Sequence, residues 1–151
     1  MARLIIFFIV NFLALGLGSY LMGSTPLENT WYQSLNKAPW TPPGWVFGAA
    51  WTSIMICFSI FMWKATDNPN ALIYILFIIQ FVLNVIWNPI FFRWHMLGFS
   101  MIIICSLTLL VLGFTYWGFR HRGTLGLFML PYMLWLLIAV SLNAYAYVQN
   151  K

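Results

Sequence analysis

The sequence predicts an all-α integral membrane protein, a bundle of five transmembrane helices with a long first loop acting as a lid. Three observations predict it. Hydrophobic residues make up 63% of the 151-residue chain and charged residues only 6%, whereas a soluble domain carries about 25% charged residues. Five apolar runs are each long enough to cross the bilayer, which takes about 20 helical residues for about 30 Å of hydrocarbon. One connection, unlike the other three, is long and crowded with tryptophan and proline. Two acids and seven bases cannot clothe a soluble core, so most of this surface must face lipid.

The five runs are 4–22, 44–63, 71–92, 96–119 and 125–148, and the whole chain, 1–151, reads as a single transmembrane domain. The runs are too continuous for barrel strands, which alternate in period two. Helices satisfy their own backbone hydrogen bonds in lipid. The first run is longer than a signal-peptide core and no A-x-A-like cleavage pattern follows it, so it reads as a retained span. The connections 64–70, 93–95 and 120–124 are short and force neighbouring helices antiparallel. The first of these carries Asp67, Asn68 and Pro69, a turn composition.

The remaining connection, 23–43, holds Trp31, Tyr32 and Trp40 with Pro26, Pro39, Pro42 and Pro43. Loops of this length in a compact protein are usually lids or binding elements, and the prolines restrict their neighbours to extended conformations. An interfacial aromatic belt would use Trp and Tyr as well, but it has no need of four prolines. Thr41 is placed to cap the second span, with proline in its first turn.

The formal net charge of +5 does not point to nucleic acid. The bases flank the apolar runs singly or as one close pair, as membrane anchors do, and form no patch for a phosphate backbone. Arg3, Lys64, Arg120 and Arg122 fall on the side of the N-terminus; Lys37, Arg93 and Lys151 fall on the other. The balance leans towards a cytoplasmic N-terminus. Cys57 and Cys105 lie in mid-run as packed thiols, and His95 and His121 sit at helix ends, so no metal set or redox motif is present. No cofactor is expected.

No ionisable residue lies deep in a span, which argues against proton- or ion-coupled pumping. With both acids in loops, paired-carboxylate chemistry is excluded from the membrane. The third run instead carries Gln80, Asn84 and Asn88 at i, i+4, i+8, hence on one face, ahead of Pro89. Such a stripe is interhelical glue, cavity lining, or both. In the fifth run Tyr132, Trp135, Ala139 and Asn143 share a face. In the second, Gly44-x-x-x-Gly48 and Ala49-x-x-x-Ser53 are small-residue spacings that let helices approach. Trp51, Trp87 and Trp135 stand away from the ends of their runs, where belt tryptophans belong. Beside the amide stripes and the lid they suggest an apolar pocket for a flat ligand with a few polar groups.

These residues resemble those of the tryptophan-rich sensory protein, or translocator protein, family (TspO/MBR, the peripheral-type benzodiazepine receptor). The matching blocks are Trp31-Tyr32, Leu35, Lys37 and Pro39-Trp40-Thr41-Pro42-Pro43 with Gly48-x-x-Trp51-Thr52; Asn84-x-x-Trp87-Asn88-Pro89-x-Phe91-Phe92; and Pro131-Tyr132-x-x-Trp135-x-x-x-Ala139-x-x-Leu142-Asn143. They cover the chain in order. The resemblance implies a homodimeric five-helix bundle, in a bacterial cell membrane, with a lidded pocket for porphyrins such as protoporphyrin IX and also for sterol and benzodiazepine-type ligands. It places the pocket on Tyr32, Pro42, Trp51, Asn84, Trp87, Trp135 and Ala139. It also implicates Trp51 and Trp135 as the catalytic residues if porphyrin is degraded in light. The run from Leu142 to Lys151 fits the loose sterol pattern of leucine, tyrosine and base. Three functions stay open at this point: a porphyrin-binding receptor or sensor, a photo-oxidative enzyme, and a porphyrin or sterol transporter.

Overall fold

The computed structural model describes residues 1–68 and 70–150; Pro69, assigned above to a turn, and Lys151, assigned to the outer side and the sterol pattern, lie outside the described residues. The helices are α1 (Ala2–Met22), α2 (Thr30–Ser34), α3 (Gly44–Ala65), α4 (Ala71–Asn88), α5 (Leu97–Arg122) and α6 (Leu130–Gln149). Five of them are long, α2 is a single short piece inside the first connection, and no strand occurs among the described residues.

α1, α3 and the stretch Ala71–Arg93 are each long and apolar enough to span a bilayer. So is the helical run Leu97–Gln149, but its 53 residues amount to about twice one crossing at ~1.5 Å per residue. The run doubles back. Gly123–Met129 tightens into a 3₁₀ segment, opened by Gly123 at φ +55, a backbone angle that costs glycine nothing. α5 and α6 then lie antiparallel, with Gly98 against Tyr147 at one end and Gly118 against Gly126 at the other. The chain thus crosses five times, as an all-α membrane bundle. The fifth helix begins at Leu130 and not at Leu125, because those five residues are spent on the reversal.

α4 also ends differently from the expected run to Phe92. Pro89 has no N–H to continue the ladder, and the chain widens into a π turn, Pro89–Arg93. That turn is closed by the Trp94 N–H donating to the Pro89 carbonyl at 2.9 Å.

The two ends of the bundle are used differently. In the half nearer the N-terminus the interior is solid. Phe58 sits fully buried among Phe61, Phe77, Phe114 and Tyr132, with ring centroids 5.7–6.3 Å apart. Two polar contacts tie helices through this apolar mass. Asn11 of α1 donates to Ser59 of α3 at 2.8 Å, and Gln80 of α4 donates to the Tyr132 hydroxyl of α6 at 2.8 Å. At the rim Arg3 donates to the Thr66 carbonyl and pairs with Asp67. α1 is thereby fastened to α3 and to the turn that follows it.

Close helix approach occurs at glycines other than those expected. Gly48 has open space where a Cβ would go, and Ala49 and Ser53 are exposed, so the small-residue spacings of α3 mediate no contact within the chain. A Cβ on Gly18 would lie 2.6 Å from Asn88, and one on Gly118 would lie 2.9 Å from Phe61 and 3.0 Å from the Gly126 backbone. The latter neighbour cannot yield. Gly118→Ala should therefore destabilise the bundle by about 1–3 kcal/mol through overpacking. Gly113→Ala on the same helix, with nothing within 4 Å, should be neutral or gain up to about 1 kcal/mol of helix propensity. Heat-unfolding midpoints in detergent read the difference; equal midpoints would refute the packing argument.

Candidate ligand-binding site

The other half of the bundle is hollow. Where α1, α3, α4 and α6 separate towards the first connection, they enclose a cavity of about 370 Å³, within the ~300–1,000 Å³ range of small-molecule sites. The first connection covers it. Tyr32, Leu35, Lys37, Ala38 and Thr41 all face the cavity.

The lid is held at two places. Asn29 caps α2, its Oδ1 accepting from the Tyr32 N–H at 2.9 Å, while its Nδ2 donates to the Phe92 carbonyl at 3.0 Å. Trp31 then stacks on His95 at 4.0 Å between ring centroids, and His95 takes a left-handed φ of 58. Tyr32 sets its edge on Phe92 at 5.2 Å. The second fastening is to α6. The Asn36 N–H donates to the Asn150 side chain at 2.8 Å, which donates back to the Asn36 carbonyl at 3.2 Å. Trp40 donates to Ser141 at 3.1 Å and packs on Tyr145.

Thr41 does not cap the following helix. Its hydroxyl donates to the Ala38 carbonyl at 2.7 Å, closing a turn of the lid, and the N-cap of α3 is Pro43. Two consecutive prolines hold the chain extended and carry Thr41 out of capping reach.

Six of the seven expected pocket residues line the cavity: Tyr32, Trp51, Asn84, Trp87, Trp135 and Ala139. Pro42 does not. It lies between two lining residues, Thr41 and Gly44, and its rigid ring shapes the lid without facing the cavity. The walls are aromatic. Trp135 is edge-on to Phe47 at 5.2 Å, Trp51 is edge-on to Tyr132 at 6.0 Å, and Trp87 stacks on Phe91 at 5.3 Å. The Trp87 indole donates to Asn143 at 3.3 Å. Among the described residues the indole N–H groups of Trp51 and Trp135 make no hydrogen bond.

The amide stripe of α4 divides its labour. Gln80 is glue, bound to Tyr132 away from the cavity. Asn84 and Asn88 line the cavity, with Asn143 across from them on α6. Among the described residues Lys37 is the only charged side chain in the lining. Its ammonium is 2.8 Å from Gln33 Oε1 and 4.7 Å above the Tyr32 ring. Burial raises the Tyr32 phenol above its ordinary pKa, so it stays a neutral hydroxyl near pH 7. Phe91 and Phe92 of the π turn, with Ala14 and Ser19 of α1, complete the wall. These were not foreseen; the first run was read only as a retained span, and the part of the wall made by Phe91 and Phe92 depends on the turn after Pro89.

The arrangement can hold a flat apolar body between indoles and orient it by amides, free N–H groups and one cation. It offers no nucleophile beside a base. The second fastening has a testable role. Asn150→Ala removes a reciprocal pair of hydrogen bonds worth about 1–2 kcal/mol together. Amides of the 35–41 segment should then exchange about tenfold faster in hydrogen-exchange measurements, with α3 and α5 unchanged. Unaltered exchange would show that the fastening does not hold the lid.

Comparison with known proteins places the chain. Residues 6–148 match the model of the TspO/MBR family. The chain is 34% identical over 118 residues to Protein CrtK of Rhodobacter capsulatus, covering 75% of this chain and 74% of that one. It is 30% identical over 125 residues to the tryptophan-rich sensory protein of Cereibacter sphaeroides, covering 80% and 77%. It is 30% identical over 145 residues to the tryptophan-rich protein TspO of Archaeoglobus fulgidus, covering 94% of both. With its bundle of apolar helices and this match along nearly its whole length, the chain is an integral, multi-pass membrane protein of the TspO/MBR family.

Proposed function

We propose that this protein is a membrane receptor or sensor whose lidded cavity binds a porphyrin of the protoporphyrin IX type. Sterols and benzodiazepine-type ligands are further candidates for the same space. The observation that carries the reading is the cavity itself. Three indoles, two of them with unclaimed N–H groups, face three amides under a lid that supplies one cation. A flat macrocycle with acidic edge groups matches that distribution of apolar wall and polar points. Sensing would follow from shared residues. Tyr32, Leu35 and Lys37 belong to both lid and cavity, so a ligand that binds the closed arrangement better shifts the lid towards it. The family resemblance makes the homodimer the expected functional unit.

A second reading is supported by the redox-capable pair Trp51 and Tyr132, 6.0 Å apart. A light-excited porphyrin against Trp51 and Trp135 would be positioned for photo-oxidation without any acid–base residue. Transport of porphyrin or sterol is the third reading, and flux into sealed vesicles separates it from binding alone.

The deciding experiment is a dark titration of protoporphyrin IX into the detergent-purified protein, followed by porphyrin absorbance. Wild type should saturate. Trp51→Phe and Trp135→Phe, each losing an indole N–H contact of about 1 kcal/mol, should bind about fivefold more weakly. Unsaturable uptake, identical in the three proteins, would mean partition into micelles and would remove the ligand assignment. Illumination then tests the second reading, which requires product formation that stops in the variants at porphyrin concentrations that saturate them.

A further inference from the structure

We propose that the bundle end opposite the lid carries a binding site for the phosphate of an anionic phospholipid. A groove of about 700 Å³ opens there between the first turn of α4 and the last turn of α5. Asn70, Ala71 and Ile73 form one bank, and Trp117, His121 and Arg122 form the other. It shares no residue with the lidded cavity.

The cationic bank is ordered. His121 Nδ1 lies 3.1 Å from the Trp117 carbonyl oxygen. A carbonyl only accepts, so Nδ1 carries a proton, and in the imidazolium form Nε2–H is the donor left for an anion. The ring stacks on Trp117 at 5.4 Å between centroids, and Trp117 in turn is anchored edge-on to Phe61 of the core at 6.2 Å. The imidazole is therefore held in place before any ligand arrives.

Among the described residues no acid pairs with this bank. Asp67, the only acid at this end of the chain, is taken by Arg3. Among the described residues the Arg122 guanidinium has no partner. Arg120 and Lys64 stand in the last turns of α5 and α3, at the same end of the bundle, the latter lying over the Trp63 ring at 4.1 Å. At the lid end the Glu28 carboxylate accepts from the Thr25 hydroxyl at 2.8 Å, and the Lys37 ammonium donates to Gln33 at 2.8 Å.

The two helices that form the banks also carry exposed apolar residues. α4 exposes Leu72 and Ile75, and α5 exposes Leu112 and Tyr116, apolar surface along which acyl chains can run. Basic pockets between helices at the membrane interface take anionic headgroups for these reasons. A free phosphate would use the cations and leave the apolar faces idle, so the occupant we commit to is the lipid.

The test uses the full chain in phosphatidylcholine vesicles and reads tryptophan quenching by brominated-chain lipids. Brominated phosphatidylglycerol should quench a component, absent in Trp117→Phe, with about fivefold preference over brominated phosphatidylcholine. Arg122→Gln should bring the preference close to parity and Arg122→Lys should restore it. Arg93→Gln, at the lid end, should behave as wild type. Equal quenching by the two lipids in wild type, or a preference that survives Arg122→Gln, overturns the proposal. Millimolar inorganic phosphate separates the sources. An undiminished preference supports the lipid, and full competition would make this a soluble-phosphate site and sink the lipid assignment.

Discussion

In hydrocarbon a polar group finds no water, and every donor and acceptor must be met by another part of the chain. The backbone meets this by coiling into helices. The side chains meet it by choosing which helices touch. Asn11 and Ser59 bind α1 to α3, and Gln80 and Tyr132 bind α4 to α6. Each link sits in apolar surroundings where a lone amide or hydroxyl would be costly. Apolar contact cannot do this sorting, because lipid tails are as good a neighbour as a leucine.

The same constraint explains why the hollow half of the bundle can exist. An empty space between helices forfeits dispersion contacts. Here the walls are rigid indoles braced by other rings, and two of the three amides in the lining, Asn88 and Asn143, have partners of their own. Asn143 holds Trp87 through its carbonyl oxygen and returns its N–H to the Ala139 carbonyl. Asn88 returns its N–H to Asn84. Part of the cavity lining is thus satisfied within the protein, while the Trp51 and Trp135 indole N–H groups are not. The solid half, built on Phe58, Phe61 and Phe114, keeps the helices together while the other half stays open.

Much of this was legible in the sequence because hydropathy and helical spacing act locally. Run length located the crossings, and the i, i+4 spacing put Asn84 and Asn88 on a common face. What escaped depends on contacts between distant segments or on turn chemistry. The short helix α2 could have been found from Asn29-Thr30, a cap signal, but a lone turn of helix is marginal until its aromatic residues dock on the π turn. Pro42 was placed in the pocket by motif, and the direction its ring faces is decided by the turn that Thr41 closes with Ala38. The groove at the opposite end joins residues about 50 positions apart on α4 and α5, and no local pattern announces it.

The lid has two anchorages on different helices. Asn29 grips the turn that ends α4, and Asn36 grips the last residues of α6. Between them lie only α2 and a few residues, a short and stiff span. The lid is therefore a strut across the mouth of the bundle, and its comfort depends on how far apart those two helix ends stand. A guest that spreads or draws in the walls must load the strut. A ligand bound as proposed would in this way turn its width into a change of shape at the lid end of the bundle, without moving a charge across the bilayer.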